Sequence, residues 1–265
     1  MVSSSAISTA TVTARRTVAE MQALAEQGWL QRGEARPLLL LFDGQLLLFP
    51  MSVEVPGRDE LVMIYLSAMN GLKEIKAGLA GYVDRPRSSI LIRMLHLLDT
   101  PAEEVTRGSL STSGRLEGLQ DRYVCERLLQ PGERTALFVQ MSPQNKEFKK
   151  SGELLEIAFF YLNTAAPGEQ PKISRVEVPM WVARDREMVA ELQALIVHQC
   201  QQLMTRYPYA LTRADELAVV KGEESRQLNL LIQVAMTRFG LDTQESQKQS
   251  GKNTARSNKT RFQVR

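Results

Sequence analysis

The sequence predicts an α/β fold in which a mixed sheet is flanked by helices. Three observations carry this expectation. Short apolar, strand-like runs are interleaved with stretches whose apolar residues recur every three or four positions. The interleaving lacks the regular strand–helix rhythm of an all-parallel sheet, so both strand directions are expected. With 265 residues, 43% of them apolar and 24% charged, the chain can bury a core and is not a disordered polymer.

The elements follow in order. Residues 1–14 are mostly Ser, Thr, Ala and Val and read as a disordered lead-in. From Arg15 to Trp29, Val18, Met21, Leu24 and Ala25 keep helical spacing up to Gly28, with Glu20 and Glu26 among the polar positions. The run from Leu38 to Phe42, apolar on both faces, predicts a central buried strand, and Asp43-Gly44 separates it from a second run, Leu46 to Phe49. Between Asp59 and Leu79, Leu61, Ile64, Tyr65, Ala68, Met69, Leu72 and Ile75 mark an amphipathic helix. Ile90 to Leu98 reads as strand or helix, and Gly118 to Gln130 as a helix stopped by Pro131-Gly132. Strands are expected over Arg134–Met141, Leu154–Asn163 and Lys172–Val178, then a long helix over Asp185–Thr205 and shorter ones over Arg213–Val220 and Glu224–Phe239. No repeat or linker divides the chain, so one domain is expected over residues 15–240.

The charge is unevenly spread. Lys and Arg number 33 against 30 acids, but residues 243–265 alone hold six basic residues and one acid, Glu245, leaving 27 against 29 for everything before them. Residues 241–265 therefore read as a disordered basic tail, either a solubilising extension or a weak attractor of phosphate backbones. No apolar run exceeds six residues, far short of the roughly 20 that span a bilayer. The first ten residues lack the basic start and apolar core of a secretory leader, so the cytoplasm is the expected location.

Several chemistries are excluded. The two cysteines, Cys125 and Cys200, are too far apart in sequence to suggest a disulfide framework or a zinc site, and His96 and His198 have no partners at ligand spacing. Metal chemistry would thus rest on carboxylates, which favour Mg²⁺ or Mn²⁺. There is no phosphate-cradling Gly-rich loop with Lys-Ser/Thr, no dinucleotide loop and no Gly-x-Ser-x-Gly elbow.

Three places could carry function. Asp43-Gly44 reads as a two-residue hairpin turn or as a carboxylate held at the exit of a buried strand. Arg85 and Arg87 flank Pro86, an arrangement suited either to an ordinary surface loop or to contact with nucleic-acid phosphates. In the segment from Arg206 to Glu216, Pro208 ends a helix, Thr212 can cap the next, and Asp215 and Glu216 fall where acids favour the helix dipole.

Taken in order, Leu41-Phe-Asp-Gly44, Ala80-Gly-Tyr-Val-Asp-Arg-Pro-Arg-Ser88, Gln120-Asp-Arg122 with Leu128-Leu-Gln-Pro-Gly-Glu-Arg134, Phe159-Phe-Tyr-Leu162, Ser174-Arg-Val-Glu-Val-Pro179 and Tyr207-Pro-Tyr-Ala-Leu-Thr-Arg-Ala-Asp-Glu-Leu-Ala-Val-Val220 resemble the NurA-type nuclease domain, especially its bacterial form. The resemblance implies a ribonuclease H-like fold and a Mn²⁺-dependent (or Mg²⁺-dependent) DNA nuclease that resects ends in double-strand break repair. It also implies a homodimer that works with a HerA-type hexameric ATPase. By the same resemblance Glu20 and Asp43 are metal ligands and Tyr207 orients a ligand or phosphate. Asp215 stands where the family usually has His, as a third candidate ligand. The family's first acidic motif, an Asp-Gly-Ser-like segment in an N-terminal strand, has no counterpart in residues 1–16. One cation requires Glu20, Asp43 and Asp215 to converge within about 5–7 Å. The alternative expectation is a catalytically impaired NurA-like protein that contacts DNA or the ATPase; a general ribonuclease H-like RNA-processing enzyme is a third.

Overall fold

In the computed structural model, residues 4–33, 37–47, 55–106, 108, 112–202 and 206–218 are described, with side chains from residue 11 onward. The expected basic tail and the helix over 224–239 lie outside these residues. The chain divides into two compact units, Met1–Ala214 and Asp215–Arg265.

Eight α-helices and five strands occur in the order α1 (Ser4–Gln31), β1 (Leu39–Asp43), α2 (Arg58–Glu74), β2 (Gly78–Val83), α3 (Ile90–Leu98), α4 (Asp121–Leu128), β3 (Phe138–Val139), α5 (Pro143–Ser151), β4 (Ile157–Asn163), β5 (Ile173–Pro179), α6 (Met180–Ala183), α7 (Arg186–Gln202) and α8 (Tyr209–Ala218), counted among the described residues. The strands form one mixed sheet in the order β1-β2-β5-β4-β3. β1 and β2 are parallel, and every other pair is antiparallel. This is the expected α/β class with a mixed sheet between helices.

Alternation along the strands separates two faces. On one, Phe42, Leu79 and Ile157 pack with Val18 and Met21 of α1, Tyr65, Met69 and Leu72 of α2, and Phe148 of α5. Farther along that face, Phe159, Tyr161 and Ile173 meet Leu91 of α3 and Cys125 of α4. On the other, Ala80, Tyr82, Phe160, Val176 and Val178 receive Val189, Leu192, Ile196 and Cys200, the three- and four-step stripe of α7.

The structure corrects several expectations. Residues 4–14 are helical, because extending an already nucleated helix adds one hydrogen bond for each residue ordered. The helix expected over Asp59–Leu79 ends at Glu74, where Lys76 takes a left-handed φ of 54°, and the chain enters β2 instead. β1 is the edge strand, not the central one. Asp43-Gly44 makes no hairpin: β1 pairs in parallel with β2, and the Gly44 N–H continues the ladder to the Tyr82 carbonyl at 2.9 Å. Only Phe138–Val139 of the strand expected over Arg134–Met141 is regular, with an isolated bridge from Arg134 to Leu162. Helix α5 was not expected, although Ser142 caps it by accepting from the Asn145 N–H and Pro143 opens it. Ile90–Leu98 is a helix.

Buried polar residues tie the connecting segments to the sheet. The Asp121 carboxylate, fully buried at the start of α4, accepts from the N–H groups of Ile90 and Ile92 at 2.8 and 3.0 Å and from the Tyr161 hydroxyl at 2.6 Å. It thereby satisfies two of the orphan donors that open α3. Asn145 does the same between α5 and β4, donating to the Ile157 carbonyl and accepting from its N–H at 2.8 and 2.7 Å. Asp121→Ala should therefore destabilise the fold by about 3 kcal/mol or more, and Asp121→Asn by less, as read by urea unfolding.

Two thiols add a pH dependence. Burial, followed by the charges of Asp121 and Glu126, pushes Cys125 up to about 12, and burial also raises Cys200. A thiol in the unfolded chain ionises near 8.5 while the folded one stays neutral. The stability held by the neutral thiols is complete below that pH and is lost as pH rises towards about 12. The urea midpoint should fall between about pH 8 and pH 10, less steeply in Cys125→Ala.

Candidate active site

The carboxyl ends of two parallel strands are where an α/β sheet most readily presents side chains to a ligand. Here those ends are Asp43, the last residue of β1, and Asp84, which follows the last residue of β2. Asp43 pairs in register with Tyr82, so both point to the face covered by α7.

Tyr207 reaches this end from the connection between α7 and α8. Arg206, just before it, adopts a left-handed φ of 56°, and buried Pro208 follows. The Tyr207 hydroxyl donates to Asp43 Oδ1 at 2.6 Å. Its ring meets the Tyr82 ring edge-on, with centroids 5.5 Å apart at 79°. Tyr82 is itself anchored by a 2.6 Å hydrogen bond between its hydroxyl and Ser174 Oγ of β5. Two motifs 164 positions apart are thus joined, and the Asp43 carboxylate is oriented while remaining at the exposed surface.

A second carboxylate lies at the neighbouring strand end. Asp84 forms a 2.9 Å ion pair with Lys172, whose ammonium also donates to the Arg206 carbonyl at 2.6 Å. Lys172 therefore links the end of β2 to the chain reversal that positions Tyr207. Arg85 is 84% exposed and its Nε stands 3.7 Å from Asp84, an ion pair that solvent screens. Asp84 and Lys172 were missed in the sequence. Asp84 stands inside the quoted Ala80–Ser88 motif, but nothing in its spacing announces a partner 88 positions away.

The other predicted residues are placed differently. Glu20 projects from α1, where its carboxylate accepts from Arg16 Nε at 2.6 Å, one turn earlier. Asp215 is exposed on α8, at the first position of the second unit. Arg87 lines a polar cavity on the sheet face opposite Asp43. Among the described residues, no group of three or more His, Cys, Asp or Glu side chains is placed to hold a metal ion. Oxygen donors suited to a hard cation are present at the strand ends, but Asp84 is engaged by Lys172 and Asp43 by Tyr207. The described residues therefore do not assemble a ligand set for Mn²⁺ or Mg²⁺.

Tyr207→Phe keeps the ring against Tyr82 and removes the hydroxyl that donates to Asp43. Because the pair is exposed, the loss of stability should be about 1 kcal/mol or less in urea unfolding.

Set against known protein families, the model of the NurA domain matches residues 3–220 of the chain, which takes in all of the β-sheet and the Asp43–Tyr207 pair. No curated protein and no solved structure matches it.

Proposed function

Because this chain belongs to the NurA family, a family of nuclease type, we propose that it is a metal-dependent DNA nuclease of the end-resecting kind. In this reading it acts on DNA double-strand breaks in the cytoplasm, as a homodimer working with a HerA-type hexameric ATPase. The observation that carries the reading is the 2.6 Å hydrogen bond from Tyr207 to Asp43, which joins two motifs of the family resemblance at the carboxyl end of a parallel strand. No helix among the described residues is long and apolar enough to cross a membrane.

The chain's own groups supply positioning. Phosphodiester hydrolysis needs an oriented oxygen acceptor near the attacking water and a cation near the negative phosphate. Asp43, held by Tyr207, is such an acceptor. A phenol hydroxyl bound to one carboxylate oxygen fixes the plane of the group and leaves the second oxygen's lone pairs for a proton or a ligand. Arg85, exposed beside Asp84, is the nearby guanidinium suited to a phosphate oxygen. Mn²⁺ or Mg²⁺ is the cofactor of this reading, and Glu20, Asp43 and Asp215 are its candidate ligands by the family resemblance alone. Since the described residues do not bring a ligand set together, no catalytic step is assigned to the ion.

The second reading, a catalytically impaired NurA-like protein that binds DNA or the ATPase, draws on two observations. Asp84 is ion-paired with Lys172, and by the family resemblance Asp215 stands where a histidine is usual. Linear double-stranded DNA with Mn²⁺ separates the two. The nuclease reading expects degradation that is abolished by EDTA and reduced at least about 100-fold in Asp43→Ala. DNA binding without cleavage, equal in the wild type and the variant, selects the binding protein.

A further inference from the structure

A cavity of about 480 Å³ opens on the sheet face opposite Asp43, between the loop leading into α3 and the start of α5. Its volume is that of a small-ligand site and exceeds what a lone inorganic ion fills. Arg175 and Glu177 of β5 form its floor, two positions apart and so on one face of the strand. Both side chains are buried, 5% and 1% exposed, and their ion pair measures 2.8 Å. Arg87 and Arg93 supply the remaining charges of the lining, and Ser89 and Ser142 are among its hydrogen-bonding side chains.

Glu177 is fully committed. One oxygen takes Arg175, and the other accepts from the Leu46 N–H at 2.8 Å. Arg175 is not. Its guanidinium lies 3.9 Å over the Phe159 ring, and Nη2 also donates to Gln140 at 3.2 Å, but its buried Nε has no partner. That Nε is itself enclosed, so what Arg175 gives the cavity floor is its positive charge rather than a free donor. Exposed Arg87 and Arg93 stand at the rim. Three guanidinium groups against one carboxylate leave the lining with an excess of two positive charges. The N–H groups of Ile90 and Ile92 that open α3 are already taken by Asp121, so the attraction comes from the arginines.

We infer that this cavity binds the phosphate of a nucleotide. Guanidinium forks match phosphate oxygens in pairs, and the serine hydroxyls and the volume beyond the arginines suit a nucleoside attached to that phosphate. The nucleotide is either the 5′ end of a DNA strand or a free mononucleotide, and both present the same chemistry to the arginines. The assignment uses neither a metal nor Asp43, so it stands or falls apart from the nuclease reading.

The test is made in EDTA, where metal-dependent cleavage cannot occur. Titration calorimetry with dAMP and with inorganic phosphate, and anisotropy with 5′-phosphorylated and 5′-hydroxyl single strands, report the ligand. The expected result is dAMP binding that weakens at least roughly tenfold in Arg87→Ala/Arg93→Ala. Both are exposed positions whose replacement leaves the core intact. Lys150→Ala removes an exposed positive charge outside the cavity and should leave affinity unchanged. A preference for the 5′-phosphorylated strand identifies the DNA end as the source; dAMP binding without that preference identifies the free nucleotide. Failure of every probe to bind at millimolar concentration, or equal binding by the double variant, overturns the assignment.

Discussion

Strand β2 lies between a parallel neighbour and an antiparallel one, and the close approach of the Gly44 backbone to it is possible because Gly81 lacks a side chain, while Gly78 leaves room for the side chains of Leu39 and Met188. A Cβ on Gly78 would come within 2.6 Å of Leu39 and Met188, and one on Gly81 within 2.6 Å of the Gly44 carbonyl. With glycine at both positions, β1 pairs along its whole length with β2, α7 packs down on one face, and the chain after Asp43 folds back over the other. The parallel pair brings Asp43 and Asp84 to one sheet end. The antiparallel pairing of β2 with β5 brings Lys172 and Ser174 to the same end. The candidate active site therefore inherits its geometry from a steric allowance made several residues away.

Buried polar side chains perform the second organising task. Glu177, Asp121 and Asn145 are nearly or fully buried, and each accepts backbone N–H groups from a segment distant in sequence. Leaving such groups unpaired in the interior is expensive, so their hydrogen bonds select one arrangement of the connecting loops. Glu177 holds the chain after β1, Asp121 holds the entry to α3, and Asn145 holds α5 against β4. The cavity floored by Arg175 and Glu177 lies among these tethered segments. The two faces of the sheet consequently carry different chemistry: an exposed carboxylate–phenol pair on one, and an arginine-rich recess on the other.

Much of this was legible in the residue order. The three- and four-step stripes of α2 and α7 identify helices, and the face read for α2 is the one that is buried, with Tyr65, Met69 and Leu72 at its centre. β4 is recognisable as an apolar run and β5 by Ile173, Val176 and Val178 set among polar neighbours, and the Asp43 and Tyr207 motifs stand out in the family pattern. What escaped did so for physical reasons. Gly78 and Gly81 lower strand propensity, so β2 is not read as a strand and its first two residues fall in the expected helix, although it lies inside the sheet between β1 and β5. The run from Leu38 to Phe42 looks buried on both sides, yet β1 is an edge strand whose apolar residues are covered by helices, with only Phe42 fully buried. Asp84 and Lys172 are ordinary charged residues in sequence, and only the strand order makes them partners.

By itself the sequence determined the class of the fold, the amphipathic faces of the long helices and the family to which the chain belongs. These depend on local periodicity and on residue types at set spacings, both written along the chain. The tertiary structure alone decided which strand lies in the centre, that Asp43 is held by Tyr207, and that Arg87 faces a recess with Arg175 rather than joining Arg85 beside Asp84. Those outcomes depend on which distant segments can approach closely enough to hydrogen-bond. Steric clearance at Gly78 and Gly81 and the pairing of buried charges settle that question, and neither has a period that can be read from one segment alone.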